Sequence, residues 1–82
     1  MDRSVIRKGI EEILMAEFGL TEIHVTDAST AKDFKGWDSL AHINIIIAAE
    51  EKFQVDINAI RAAKLKTVGE LIDLIAHLKN GG

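Results

Sequence analysis

Ser39 and His42 stand three residues apart, a spacing that on a helix puts a nucleophile and a base on one face. Acyl transfer by such a pair also needs an oxyanion hole and a shaped pocket, and the Gly-x-Ser-x-Gly elbow is absent. With only 82 residues of helical character to build a pocket from, the chain is not expected to be an enzyme. A second chemistry starts from Gly36-Trp37-Asp38-Ser39-Leu40, which opens an apolar run reaching about Phe53. Gly36 suits the end of a loop, and Asp38 is a strong helix cap that can accept from the second or third amide of the next turn. Ser39 then occupies the first helical position, its hydroxyl outward, beside amides with no intrahelical acceptor. An anion attached there would sit in the positive field of the helix start. Asp-Ser before an apolar run is most commonly a cap and nothing more, so the wider pattern has to decide. No metal site is expected, because Glu11-Glu12 and Glu50-Glu51 are adjacent pairs that splay around a helix. His24 and His77 read as solvated positions.

The elements that position Ser39 can be read from apolar periodicity. Ile6, Ile10, Ile13, Leu14 and Phe18 form one stripe, predicting a first helix from Asp2 or Arg3 to Phe18, stopped by Gly19. Residues 19 to 38 read as a long loop, with Ile23, Val25 and Phe34 as anchors and one helical turn at Thr30-Ala31-Lys32-Asp33. Ile23 and Val25 alternate with polar residues, but a lone strand there would have no partner. The second helix, Ser39 to Phe53, is apolar around most of its circumference; Leu40, Ile43, Ile46 and Phe53 are assigned to the core, with Ile45 or Ile47 as surplus positions that can meet a partner. Trp37 is expected to pack the loop onto the helices. A short third helix is predicted from about Asn58 to Leu65, with Ile60 and Leu65 as its larger apolar residues. Thr67-Val68-Gly69-Glu70 has the spacing of a capping box and opens a fourth helix, striped by Val68, Leu71, Ile72, Ile75 and Leu78 out to about Lys79. Asn80-Gly81-Gly82 reads as a frayed end. The fold class is therefore all-α: a small bundle of four helices, three longer and a short third, with a long loop between the first two.

Composition fits one small domain over residues 1–82, of marginal stability at this size. The chain is 48% hydrophobic and 28% charged with no proline, which favours a globular helical domain over disorder. A net charge of -3 and the lack of a basic stripe give no reason to expect a nucleic-acid partner. The charged opening, Met1 to Lys8, suggests neither signal peptide nor membrane span, so a cytoplasmic monomer is the expectation. There is no cysteine, hence no disulfide and no thiolate ligand.

Taken from Gly36 to Ile57, the sequence resembles the acyl carrier protein family. The residues that carry the resemblance are Asp38-Ser39-Leu40, then Ile43, Ile46 and Ile47, then Glu50-Glu51-Lys52-Phe53 and Val55-Asp56-Ile57, and the chain's length and helix order fit as well. The resemblance implies a four-helix fold of acyl-carrier type and a 4'-phosphopantetheine group attached covalently to Ser39 from coenzyme A. A phosphopantetheinyl transferase with magnesium in its own site would attach it. Asp38 would cap the helix and help that transferase bind, and Leu40 would anchor the first turn; Trp37, two residues from Ser39, is first a loop anchor and, as the alternative, also a border of the attached arm. An added thiol would also meet the need that a chain without cysteine has if it is to carry thioesters. The implied partners are the transferase, an acyl-loading ligase or synthase, and a ketosynthase or acyltransferase of fatty acid, polyketide or related lipid biosynthesis. An aminoacyl or peptidyl carrier shares the fold and the attachment, and a small helical adaptor without a prosthetic group is the alternative of another class.

The sequence departs from the family in its charges. Family carriers of fatty acid synthesis typically present acids along the second and third helices, whereas Asp38 to Lys66 here holds four acids (Asp38, Glu50, Glu51, Asp56) against four bases (Lys52, Arg61, Lys64, Lys66). Ala41 and Asn44 stand where an acid is common. A specialised carrier served by a dedicated partner, with a more apolar or partly acidic surface, is the expectation.

Overall fold

The computed structural model describes residues 1–80, so the expected fraying of Gly81 and Gly82 lies outside the described residues. Four helices follow one another, α1 (Arg3–Phe18), α2 (Ser39–Phe53), α3 (Ala59–Lys64) and α4 (Val68–Lys79), and a 3-10 turn at Ala31–Asp33 interrupts the α1–α2 connection. Among the described residues there is no strand. Each boundary has a local cause. Asp2 accepts from the Ser4 amide to start α1, and Gly19, at φ 66°, ends it. Thr30 and Asp33 form a capping box around the 3-10 turn, and Thr67 and Glu70 form another at the start of α4. Gln54 ends α2 at φ 55°, a stop that no glycine announces in the sequence.

Ile6, Ile10 and Leu14 of α1, Ile45 of α2, and Ile72 and Ile75 of α4 have no exposed surface and form the centre of the core. Val25 from the long loop and Ile57 from the α2–α3 link are also buried, while Ile23 and Phe34 pack on the edge. The long loop is also tied down by polar contacts. Asp27 receives Arg7 at 2.5 Å and Arg3 at 2.7 Å, and Arg3 also reaches Asp73 on α4. The Arg7 hydrogen bond, opposed by partial desolvation and reinforced by the Arg3 charge, holds the Asp27 carboxyl below the usual carboxylate range. The Asp27 carbonyl accepts from Gly69 at 2.9 Å and the Ser29 carbonyl from Val68 at 2.8 Å, so the loop satisfies two amides at the start of α4. A Cβ at Gly69 would fall 2.7 Å from that Asp27 oxygen, so only glycine permits the approach.

The faces of α2 and α3 differ from the sequence expectation. Leu40 and Ile43, assigned to the core, are 67% and 54% exposed, and Ile60 of α3 is 66% exposed. Leu40 therefore does not anchor the first turn of α2 by burial. Ile45, read as surplus, is fully buried, and so nearly are Ala41, Ile46, Ala49 and Phe53. The core-facing side of α2 contains two alanines, Ala41 and Ala49, while three large aliphatics, Leu40, Ile43 and Ile47, share an exposed side. Size misleads where a helix is apolar all round, because periodicity then has no polar face to fix its phase.

Candidate functional site

The site is built from the end of the long loop and the start of α2. Phe18, Phe34 and Trp37 form an aromatic cluster with ring centroids 5.5 to 5.8 Å apart, which fixes the loop against the end of α1. Gly36 takes φ 94°, open to few residues with a side chain, and its carbonyl accepts from the Asp38 amide at 2.9 Å. That turn delivers Asp38 in an extended conformation. Its Oδ1 accepts from the Ala41 amide at 2.9 Å and its carbonyl from the His42 amide at 2.9 Å. Asp38 is thus the cap of α2, and the amides of Ser39 and Leu40 are left without an acceptor inside the helix. Ser39 is exposed at the first helical position, between exposed Asp38 and exposed Leu40. An exposed serine, two amides without a helical acceptor and the positive end of a fifteen-residue helix make this a place where negative charge is favoured.

His42 does not serve Ser39. Its Nδ1 accepts from the Trp37 indole Nε1–H at 3.2 Å, and its Nε2 lies 2.9 Å from the Ala62 carbonyl oxygen. Both ring nitrogens are engaged, so no base is free for the hydroxyl. Sequence reasoning placed Trp37 in the loop packing, where it is, but missed that its polar edge ties the loop to α2. No sequence pattern announces that contact, because it depends on how the loop enters α2. His24 and His77 are exposed.

An apolar groove of about 270 Å³ lies between α2 and α3, beginning at His42, three residues after Ser39. Ile43, Ile46 and Ile47 form its α2 side, Ala59, Ala62 and Ala63 its α3 side, and His42 its near end. Small residues on the six-residue α3 leave this space. The groove was not foreseen from sequence, since it depends on Ile43 and Ile47 facing away from the core.

No family model matches the chain. Among solved structures the chain is similar to the solution NMR structure of a holo acyl carrier protein from Geobacter metallireducens, with a TM-score of 0.82 and 30% identity. The match covers 90% of this chain and 85% of that one. Identity at that level, sustained across nearly the whole of both chains and accompanied by the same helical architecture, places this chain in the acyl carrier protein family, as a non-catalytic carrier.

Proposed function

We propose that Ser39 bears 4'-phosphopantetheine and that the protein shuttles acyl groups, as thioesters, between enzymes of fatty acid, polyketide or related lipid biosynthesis. The observation that carries this reading is the exposed hydroxyl of Ser39 at the capped start of α2, in a chain whose similar solved structure is a holo carrier. The group would supply a flexible arm ending in a thiol, which a chain without cysteine cannot supply itself. Asp38 holds the helix start, the amides of Ser39 and Leu40 would be the donors available to the phosphodiester, and Trp37 keeps the loop in place beside them. Tethering then replaces diffusion by a high effective concentration at each partner. The α2–α3 groove gives an apolar cargo a surface to lie on, which supports acyl rather than polar cargo.

The partners follow from the same surface. Leu40, Ile43 and Ile47 on α2 and Ile60 on α3 are exposed around the groove, with Arg61 and Lys64 exposed on α3. An enzyme that docks here would present an apolar surface with acids opposite α3, in keeping with a dedicated partner. Ala41 takes no part in this choice, because it is only 5% exposed, so an acid at that position would enter the core rather than the docking face.

The experiment is intact mass spectrometry after incubation with coenzyme A, magnesium and a broad-specificity phosphopantetheinyl transferase. A gain of one phosphopantetheinyl group, followed by a further gain with an acyl-loading enzyme, is the expected result. No gain would return the protein to an adaptor without a prosthetic group.

A further inference from the structure

We propose that His42 is a specificity-determining partition, whose ring walls the α2–α3 groove off from the interior and so limits how far an acyl chain tethered at Ser39 can enter. The inference rests on the carrier reading above for its cargo, but the state of the ring is independent of it.

The two partners of the ring have fixed polarity. An indole nitrogen only donates, so Nδ1 of His42 must be the unprotonated nitrogen facing Trp37 at 3.2 Å. A carbonyl oxygen only accepts, so Nε2 carries the proton and gives it to Ala62 at 2.9 Å. The tautomer is thereby determined by neighbours from two different elements, the attachment loop and α3. The ring also stacks on the Trp37 indole, with centroids 6.2 Å apart and planes 28° apart. It is held on both edges and one face.

The place where it is held matters, because His42 lines two separate spaces. One is the groove of about 270 Å³. The other is a cavity of about 40 Å³ between the long loop and the start of α4, lined on one side by Ser29 to Ala31 and Trp37 and on the other by Leu65 to Val68 and Leu71, of which Val68 and Leu71 belong to the core. The far end of the groove is fastened too, since Glu50 Oε2 accepts from the Ile57 amide at 2.9 Å. His42 and Glu50 are eight residues apart on α2, a span of about 12 Å. Both ends of the groove are therefore stitched to the α3 side, and its width is set unless one stitch opens. A chain can lie between the isoleucines and the alanines, but going deeper means displacing the imidazole. Short and medium chains are sheltered along the groove, whereas the end of a long chain stays exposed.

The full-length protein allows two tests. In the unmodified protein, imidazole ¹⁵N shifts in mildly alkaline buffer should show His42 with Nδ1 unprotonated and Nε2 protonated; the opposite tautomer would overturn the lock. In the loaded protein, butyryl, octanoyl and dodecanoyl forms should shift the amides of Ile43, Ile47 and Ala59 and leave Val68 and Leu71 in place. His42→Ala should let the octanoyl chain move Val68 and Leu71, while His42→Gln, which can still accept from Trp37 and donate to Ala62, should restore the wild-type pattern. Shifts at Val68 and Leu71 in the wild type as large as those in the groove would overturn the partition, even if the alanine variant fails to fold. If Ser39 resists loading, the carrier reading falls by itself, and the tautomer together with amide exchange at Ala62 to Leu65 in the glutamine variant still decides whether His42 holds α3.

Discussion

At the scale of single residues, the site depends on Asp38 and Ser39 having separate tasks. Asp38 closes the first turn of α2 through the Ala41 amide and leaves the two earlier amides free for an anion. Ser39 presents its hydroxyl to solvent and contributes nothing to the core. Asp38→Ala should lower stability by about 0.5 to 2 kcal/mol through loss of the cap, and should also slow phosphopantetheinylation. A denaturation midpoint identical to that of the wild type would show that the cap does not stabilise α2. These two residues were legible in sequence because a cap is a local device: an acceptor side chain, the following turn and a preceding glycine are all within a few positions. His42 was not legible in the same way. Its ring is fixed by an indole five residues upstream and by a carbonyl twenty residues downstream, and only the fold brings those together.

At the scale of elements, α1 and α4 could be read almost residue by residue, since each has a polar face that sets the phase of its apolar stripe. For α2 the ends were legible and the orientation was not. Ile45→Ala should cost about 2 to 5 kcal/mol, because a fully buried side chain leaves a cavity, whereas Ile43→Ala should stay within about 0.5 kcal/mol. Comparable losses in urea denaturation would contradict the placement of these two residues. The long loop yields a prediction about acid. Asp27 has a carboxyl pKa lowered in the folded protein from an ordinary 3.8, so its contribution is complete above that value and is lost as pH falls through the folded value. Thermal melts from neutral pH to about pH 3 should therefore show a smaller loss for Asp27→Asn than for the wild type. The loss should not vanish, because Asp2 and Glu12 are also lowered, Asp2 by the Ser4 hydrogen bonds and Glu12 by Lys52. An equal acid loss in both proteins would mean that the Arg7–Asp27–Arg3 contacts are too exposed to matter.

At the scale of the whole molecule, α1 packs against both α2 and α4, and the side of α2 that carries Leu40, Ile43 and Ile47 stays exposed, with the α2–α3 groove along it. No helix among the described residues is long and apolar enough to cross a membrane. The near balance of charge from Asp38 to Lys66 could be counted in the sequence, but the apolar character of the docking side could not, because it depends on which isoleucines face outward. Ile60→Glu/Lys64→Glu converts that side toward an acidic one without touching the core or the lining of the groove. It should raise elongation by a general fatty acid ketosynthase several-fold at low salt, with the gain fading at high salt as surface charges are screened. No gain at low salt would remove the charge basis for a dedicated partner. The central claim, attachment at Ser39, has a more direct test. Trypsin should release Gly36 to Lys52 as one peptide in which Ser39 is the only hydroxyl-bearing side chain. After treatment with coenzyme A and the transferase, fragment-ion mass spectra should find the added group on that peptide in the wild type and nowhere in Ser39→Ala, whose helical circular dichroism should be unchanged. A modified peptide from any other part of the chain, or modification that survives in a folded Ser39→Ala, would contradict the account.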